Sequence, residues 1–354
     1  MRIVVAMSGG VDSSVAAALL TDAGHEVVGL SMQLYDQREG DAQFGSCCTI
    51  DDLIDARRAA AALGIPHYVV NYERAFNTHV VRNFVDEYVA GRTPIPCVHC
   101  NADLKFSHLL DRAGALGTEA LATGHYAQID REPTTGRYRL RRAIDRNKDQ
   151  SYFLFSLSQA QLARAAFPVG ALGKTQVRSY ARRRGLDVAD KPDSQELCFI
   201  SSGNHATFVE NNAATPPRAG NIQDSAGRIL GQHEGVHRFT VGQRKGLGVA
   251  SGRRMYVTAV DATTRTVTVG TRNDLERTEL TASSVNWIAG EPPSTPRRIT
   301  AQIRHRHPEA PATVSALANG RAIVHFDKAQ LAVTPGQAVV FYDGDVILGG
   351  GWIN

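Results

Sequence analysis

Seven residues near the start of the chain carry its clearest chemical signal. Ser8-Gly9-Gly10-Val11-Asp12-Ser13-Ser14 follows the apolar run Ile3–Met7 and opens a stretch with Val11, Val15 and Leu19 at helical spacing. A strand, a glycine pair and a helix start in that order form an anion cradle. The glycines let backbone N–H groups approach a phosphate that a Cβ would fend off. The amides at the helix start, and its partial positive charge, face the same anion. A Walker A loop would add a lysine for the terminal phosphates. The nearest match is Gly173-Lys174-Thr175, where Pro168 occupies the first-glycine position. The loop is therefore expected to grip a nucleotide by its pyrophosphate, without passing on the terminal phosphate.

Thiols form the second candidate group. Cys97 and Cys100 stand in the proline-stiffened segment Thr93-Pro94-Ile95-Pro96-Cys97-Val98-His99-Cys100-Asn101, ahead of a helical stretch. The spacing predicts Cys100 near that helix's N-terminus, where the dipole favours a thiolate. Cys198 lies in Lys191-Pro192-Asp193-Ser194-Gln195-Glu196-Leu197-Cys198. Each alone also reads as a buried structural thiol. Cys97 and Cys100 could be half of a zinc site, but no second Cys/His pair at zinc spacing completes one. Cys47 and Cys48 are adjacent and match no defined role.

These residues need a scaffold, and the first half of the chain alternates strand and helix patterns. Strands are predicted at 2–7, 26–32, 67–70 and 121–123, and helices at 12–23, 51–63, 74–90 and 101–115. This order argues for a parallel sheet covered by helices on both faces. Ligands then bind at the carboxyl ends of the strands, so residues 8–14, Met32 and Gly124-His125-Tyr126 are expected to meet at one edge. Composition shifts at Ala213–Gly220, a linker pattern. Beyond it, alternating runs such as Tyr256–Val260 and Thr266–Val269 predict antiparallel strands, and the last stretch predicts a small β-barrel.

The 354 residues suffice for two or three domains with cores of their own. No apolar stretch approaches a membrane span, and the N-terminal residues lack a signal-peptide pattern. Five cysteines make no disulfide framework, so a reducing cytoplasm is the expected setting. The net charge of +4 is unevenly spread: residues 1–100 hold 7 Lys/Arg against 12 Asp/Glu, and the remainder hold 32 against 23. Basic clusters at 137–148, 182–184 and 297–306 suit a polyanion such as nucleic acid, or form solvated arginine faces.

Ser8–Ser13 resembles the PP-loop of the ATP pyrophosphatases, which adenylate a carbonyl oxygen and release pyrophosphate. The chain as a whole closely resembles the tRNA-specific 2-thiouridylases. The resemblance rests on that loop, Asp55-Ala56-Arg57-Arg58, Cys100–Phe106, Ala122-Thr123-Gly124-His125-Tyr126, Lys148-Asp149-Gln150-Ser151-Tyr152, the Cys198 segment and Thr240–Leu247. It implies an α/β fold: a PP-loop catalytic domain over residues 1–210, a β-rich tRNA-binding domain over 211–274 and a tRNA-binding β-barrel over 275–354.

The resemblance also implies ATP with Mg²⁺ as cofactor, tRNA as substrate, and an upstream sulfur-relay or cysteine desulfurase protein as partner. Ala6, Met7, Ser8, Gly9, Gly10, Val11, Asp12, Ser13, Met32 and Gly124 match the family's ATP contacts. His125, Lys148, Asp149, Gln150, Arg304, His305 and Gln337 match its tRNA contacts. Cys198 matches the persulfide carrier. Cys100 matches the nucleophile that frees its sulfur by forming a disulfide, or assists the transfer. Some family members carry Asp at the position of Cys97. The alternative set by this departure is a [4Fe–4S] cluster on Cys97, Cys100 and Cys198. Another adenylating PP-loop enzyme is the second alternative, and it would need neither thiol.

Overall fold

The structure is a computed structural model that describes residues 1–35, 50–193, 197–200, 204–250 and 252–354. Cys47 and Cys48 lie outside the described residues. Strands β1 (Arg2–Ala6), β2 (Glu26–Gln33), β3 (His67–Asn71) and β4 (Ala120–Thr123) are followed by a hairpin of β5 (Ala127–Arg131) and β6 (Tyr138–Arg142), then by the short β7 (Ala165–Ala166). A parallel sheet runs β3-β2-β1-β4-β7, with Val4 opposite Val28 and Leu121. Alternate residues of β1 point to opposite faces, the period-2 rule of a strand buried on both sides. Val4 joins the cluster containing Phe76, Phe84 and Leu104; Ile3 and Val5 join the one containing Val15 and Ala59. Helices α1 (Val11–Asp22) and α2 (Ile50–Ala62) cover the second face.

Across the first face run two longer helical rods. One spans 73–89, with a wider π-type turn at Asn77–Val81. The other starts at Pro96, a residue suited to a first turn because it needs no N–H partner. It runs on through the π-type stretch Cys100–Leu109 to Ala115. This corrects the expected start near 101. Cys97 occupies the first turn, while the amide of Cys100 already bonds to the carbonyls of Cys97 and Pro96. Cys100 therefore lies a full turn in, where the terminal dipole has largely faded.

After residue 213 the chain turns to β structure. Strands β8 (Gly220–Asp224), β9 (Ile229–His233), β10 (Tyr256–Asp261) and β11 (Thr266–Gly270) form a small sheet in the order β10-β11-β8-β9 around Ile222, Val257 and Val267. Strands β12 (Glu276–Asn286), β13 (Arg297–Gln302), β14 (Ala310–Leu317), β15 (Arg321–Leu331), β16 (Ala338–Asp343) and β17 (Val346–Ile353) close into a six-stranded barrel through the β12–β17 pairing. The expected barrel is there. Unexpected is the hairpin β5–β6, which leaves the N-terminal half and pairs with β17 through Arg141–Val346 and Leu140–Ile347. One sheet thus links both halves of the chain.

Candidate functional site

The order β3-β2-β1-β4 places a topological switch at β1, where ligands of open α/β sheets bind. Residues 8–10 leave β1 at that point. Gly9 has φ +74°, and a Cβ there would come within 2.1 Å of the Asp52 carbonyl oxygen. Gly10 begins α1 in extended conformation, and no side chain caps the helix. Its first amides therefore have no side-chain cap and can take an anion. Inside the turn, the Ser8 amide donates to Ser13 Oγ at 3.2 Å, and the Ser13 and Ser14 hydroxyls donate to the Gly10 carbonyl. Gly124, just beyond β4, presses on α1 so closely that a Cβ would stand 2.5 Å from the Ser13 nitrogen. Loop 8–14 and residues 124–126 meet as expected. Ala6, Met7 and Val11 form the walls of this turn, and Met7 and Val11 are buried. Met32 lies within β2, 8% exposed, in the cluster of Val4 and Val28.

Charged groups ring the loop. Lys174 Nζ donates to both Asp12 carboxylate oxygens at 2.7 Å, and Tyr126 Oη donates to Asp12 Oδ1 at 2.7 Å. Lys174 also meets Asp193 at 2.8 Å, which further receives Lys148 at 2.7 Å and Arg178 at 3.1 Å. Burial alone would raise the Asp193 carboxyl; the hydrogen bonds and charges of Lys148 and Lys174 outweigh it and bring it down to about 2. Lys191 Nζ reaches Asp52, Asp55 and the Gly9 carbonyl at 2.7, 2.6 and 3.2 Å. Burial opposes its charge, but the two carboxylates hold its pKa above the ordinary value. Lys174 and Lys191 are the residues that sequence reasoning missed. Gly173-Lys174-Thr175 was visible, but no Walker A loop surrounds it; here the lysine arrives from the start of a distant helix, Lys174–Arg183.

The Lys148–Tyr152 segment joins this ion cluster to the barrel. Asp149 is buried, its carboxylate occupied by the amides of Ala143 and Ser151, the Ser151 hydroxyl and Arg142. Gln150 Oε1 accepts from the Tyr126 amide at 3.0 Å. Tyr152 Oη donates to the Ala338 carbonyl at 2.9 Å, and Phe153 packs against His305 with centroids 4.3 Å apart and planes tilted by 37°. Arg304 donates to the Leu331 carbonyl. Burial and the neighbouring Arg306 depress the His305 pKa. His125 lies between Phe106 and Phe167 with Nδ1 2.7 Å from Thr123 Oγ1; burial, then the Lys105 charge, push its pKa far down, so the ring is neutral.

The thiol segments approach from two sides. Gln337 Nε2 donates to the Thr93 carbonyl at 2.9 Å, and the His99 ring stacks flat on Trp352, with centroids 5.0 Å apart and planes 4° from parallel. Asn101 donates to the Phe153 carbonyl at 3.3 Å. The barrel thus grips the segment carrying Cys97 and Cys100. Phe199, beside Cys198, packs edge-on against Phe76 and Phe84, and Tyr35 Oη donates to the Cys198 carbonyl at 3.4 Å. Cys100 and Cys198 both pack, half-buried, against the same hydrophobic cluster, and Cys97 is exposed. Among the described residues no three His, Cys, Asp or Glu side chains gather to hold a metal.

A parallel sheet whose switch point carries an uncapped, glycine-walled helix start ringed by lysines defines an α/β protein of the nucleotide-binding class. Its sequence matches the families described as tRNA methyl transferase HUP domain over residues 1–202, tRNA methyl transferase PRC-barrel domain over 207–271 and aminomethyltransferase beta-barrel domain over 277–353. It is 54% identical to the tRNA-specific 2-thiouridylase MnmA of Solibacter usitatus, over 99% of both chains. Identity to the MnmA of Geotalea uraniireducens is 51%, over all of this chain and 95% of that one; to the MnmA of Koribacter versatilis it is 49%, over 99% and 98%. The chain belongs to the tRNA-specific 2-thiouridylase family. Among the described residues no helix is long and apolar enough to cross a membrane.

Proposed function

We propose that this chain is a tRNA-uridine 2-sulfurtransferase that uses ATP to activate the C2 carbonyl of the wobble uridine. That oxygen is a poor leaving group; as an adenylate it departs with AMP. The 8–14 loop holds the nucleotide phosphates, with Lys174 and Lys191 as counter-charges where pyrophosphate separates. Mg²⁺ would arrive with the phosphates, and Asp12 would be the carboxylate to hold it in exchange for Lys174. Cys198 carries sulfur as a persulfide supplied by an upstream relay or desulfurase protein. Cys100 thiolate attacks the Cys198 Sγ, the S–S bond of the persulfide breaks, and sulfide leaves to displace AMP at C2. The two cysteines are left as a disulfide, and an external dithiol returns the two electrons. Reactive thiols of this kind suit the cytoplasm.

The observation that carries this reading is the single chain of contacts Asp12–Lys174–Asp193, which runs from the phosphate cradle into the segment bearing Cys198. Methyl transfer, the word in two of the family descriptions, needs neither that cradle nor a thiol pair. Of the residues assigned to tRNA, Lys148, Arg304, His305 and His125 are the ones this reading assigns to direct RNA contact. Asp149, Gln150 and Gln337 act through the backbone they hold. The test is nucleoside mass spectrometry of tRNA incubated with protein, ATP-Mg²⁺ and a persulfide donor. Wild type should form 2-thiouridine, and Cys100→Ser and Cys198→Ser should not, while both still release pyrophosphate. Full thiolation by either variant overturns the thiol assignment.

A further inference from the structure

The basic clusters most prominent in the sequence are largely spent within the fold, many of them in exposed pairs such as Arg182–Asp190 and Arg298–Asp327. Arg142, the last residue of β6, differs. Its side chain is 12% exposed, and its guanidinium lies 3.7 Å over the ring of the buried Tyr342. One arm of the fork, Nη1, donates to Asp149 Oδ2 at 3.1 Å and to Gln302 Oε1 at 3.5 Å. The other arm, Nη2, donates to Glu309 at 2.6 Å.

Each partner holds a different segment. Asp149 accepts from the amides of Ala143 and Ser151 and from the Ser151 hydroxyl, which fixes the Lys148–Gln150 turn. Gln302, buried at the end of β13, turns its amide the other way: Nε2 donates to the carbonyls of Arg304 at 3.0 Å and His305 at 2.5 Å. Glu309 also accepts from the Thr300 hydroxyl on β13 at 2.9 Å. A third segment joins through the backbone. Arg142 pairs with Ala127 in the β5–β6 ladder, two positions beyond His125, and Gln128 Nε2 donates to the Arg142 carbonyl at 2.7 Å. Segments 125–128, 148–151 and 302–305 thus meet on one residue.

A joint between sheet and barrel does not require this arrangement, because a packed apolar side chain closes such a gap about as stably as a buried ion pair. An apolar group cannot, however, hold two turns at hydrogen-bond spacing from one planar fork. We propose that Arg142 is a positioning residue for the tRNA: it sets the Lys148–Gln150 turn and the Arg304–His305 turn at one fixed spacing, so that both meet the RNA as a single surface. The proposal rests on the reading of RNA as substrate, and Arg142 acts through the residues it holds.

The experiment measures 2-thiouridine formation against tRNA concentration, at saturating ATP-Mg²⁺ and persulfide donor. Wild type, Arg142→Lys, Gln302→Leu and Glu309→Gln are compared, with melting midpoint and ATP affinity measured on each. Arg142→Lys keeps a cation beside Asp149 but loses the fork, and Gln302→Leu cuts the link to the barrel turn. Each should raise KM for tRNA roughly tenfold, with ATP affinity unchanged. The two together should do no more than the worse one alone, because they break the same link. Glu309→Gln should keep the wild-type KM, since Asp149 and Gln302 remain joined. Where Gln302→Leu does not fold, Arg142→Lys carries the same test. Losses confined to kcat that track a lower melting midpoint, at wild-type KM, mean a joint that only stabilises the fold, and overturn the positioning role while leaving the RNA substrate standing. A wild type that forms no 2-thiouridine overturns both.

Discussion

Replacing Lys174 by Met separates the two tasks of that residue. Its side chain is 11% exposed and bridges Asp12 and Asp193, which are 29% and 26% exposed. Removing the cation leaves Asp12 without its lysine and Asp193 with Lys148 and Arg178 only. Breaking a buried pair by deleting one partner costs about 3–5 kcal/mol. These carboxylates keep a quarter of their surface in water, so a loss of about 2–3 kcal/mol is expected. That lowers the melting midpoint by on the order of 5 °C. Adding Asp12→Asn removes the carboxylate left without its cation and should recover about half of the loss. Chemistry should not recover, because the lysine would still be missing beside the phosphates. Removing one preorganised donor to a developing charge costs roughly 100-fold or more in rate. Calorimetry and tRNA-dependent pyrophosphate release, measured on the single and double variants, read the two effects separately. A double variant no more stable than Lys174→Met would refute the charge-pairing argument. Near-normal pyrophosphate release from either variant would refute the phosphate role.

Gly124→Ala forces a Cβ against the first turn of α1; expect a loss of about 1–3 kcal/mol in thermal unfolding and markedly weaker ATP binding in titration calorimetry. The Asp193 carboxyl titrates at about 2 in the fold, below its ordinary 3.8. Its pairing therefore stabilises fully above about pH 4 and is lost as the pH falls through about 2. Wild type should exceed Asp193→Asn by about 2 kcal/mol at neutral pH, and the two melting curves should converge between pH 4 and 2. Trp352→Ala removes the His99 stack, for a cost of about 1 kcal/mol beyond the lost burial. Alkylation of Cys100 should change in rate in that variant, while ATP affinity stays constant.

Much of the scaffold was legible because its signals are local. The run Ile3–Met7, the glycine pair and Val11/Val15 fix a strand, a turn and a helix from neighbours alone, and the barrel strands alternate clearly. The start of the Cys100 helix was misplaced because Pro96 read as a loop breaker, although proline also favours a first turn. The hairpin β5–β6 escaped because its residues, Tyr138-Arg139-Leu140-Arg141-Arg142, read as a basic cluster and pair with a strand some 200 positions away. Lys174 escaped for the same reason: a side chain that reaches Asp12 from 162 positions away leaves no local pattern. Charge counting misled in one respect. It marked clusters that the fold neutralises internally.

The hairpin that crosses into the barrel has a consequence for how this protein is made. Residues 127–142 leave the ribosome long before 346–353, the strand that completes their sheet. At about 5–20 residues per second, the outer edge of β6 waits on the order of 10–40 s for its partner. Open strand edges invite pairing with other nascent chains. Here that edge carries Arg139, Arg141 and Arg142, charges that keep it from associating with its own kind until the last strand arrives. The arginines that look like a binding surface in the finished protein thus also guard an unfinished one.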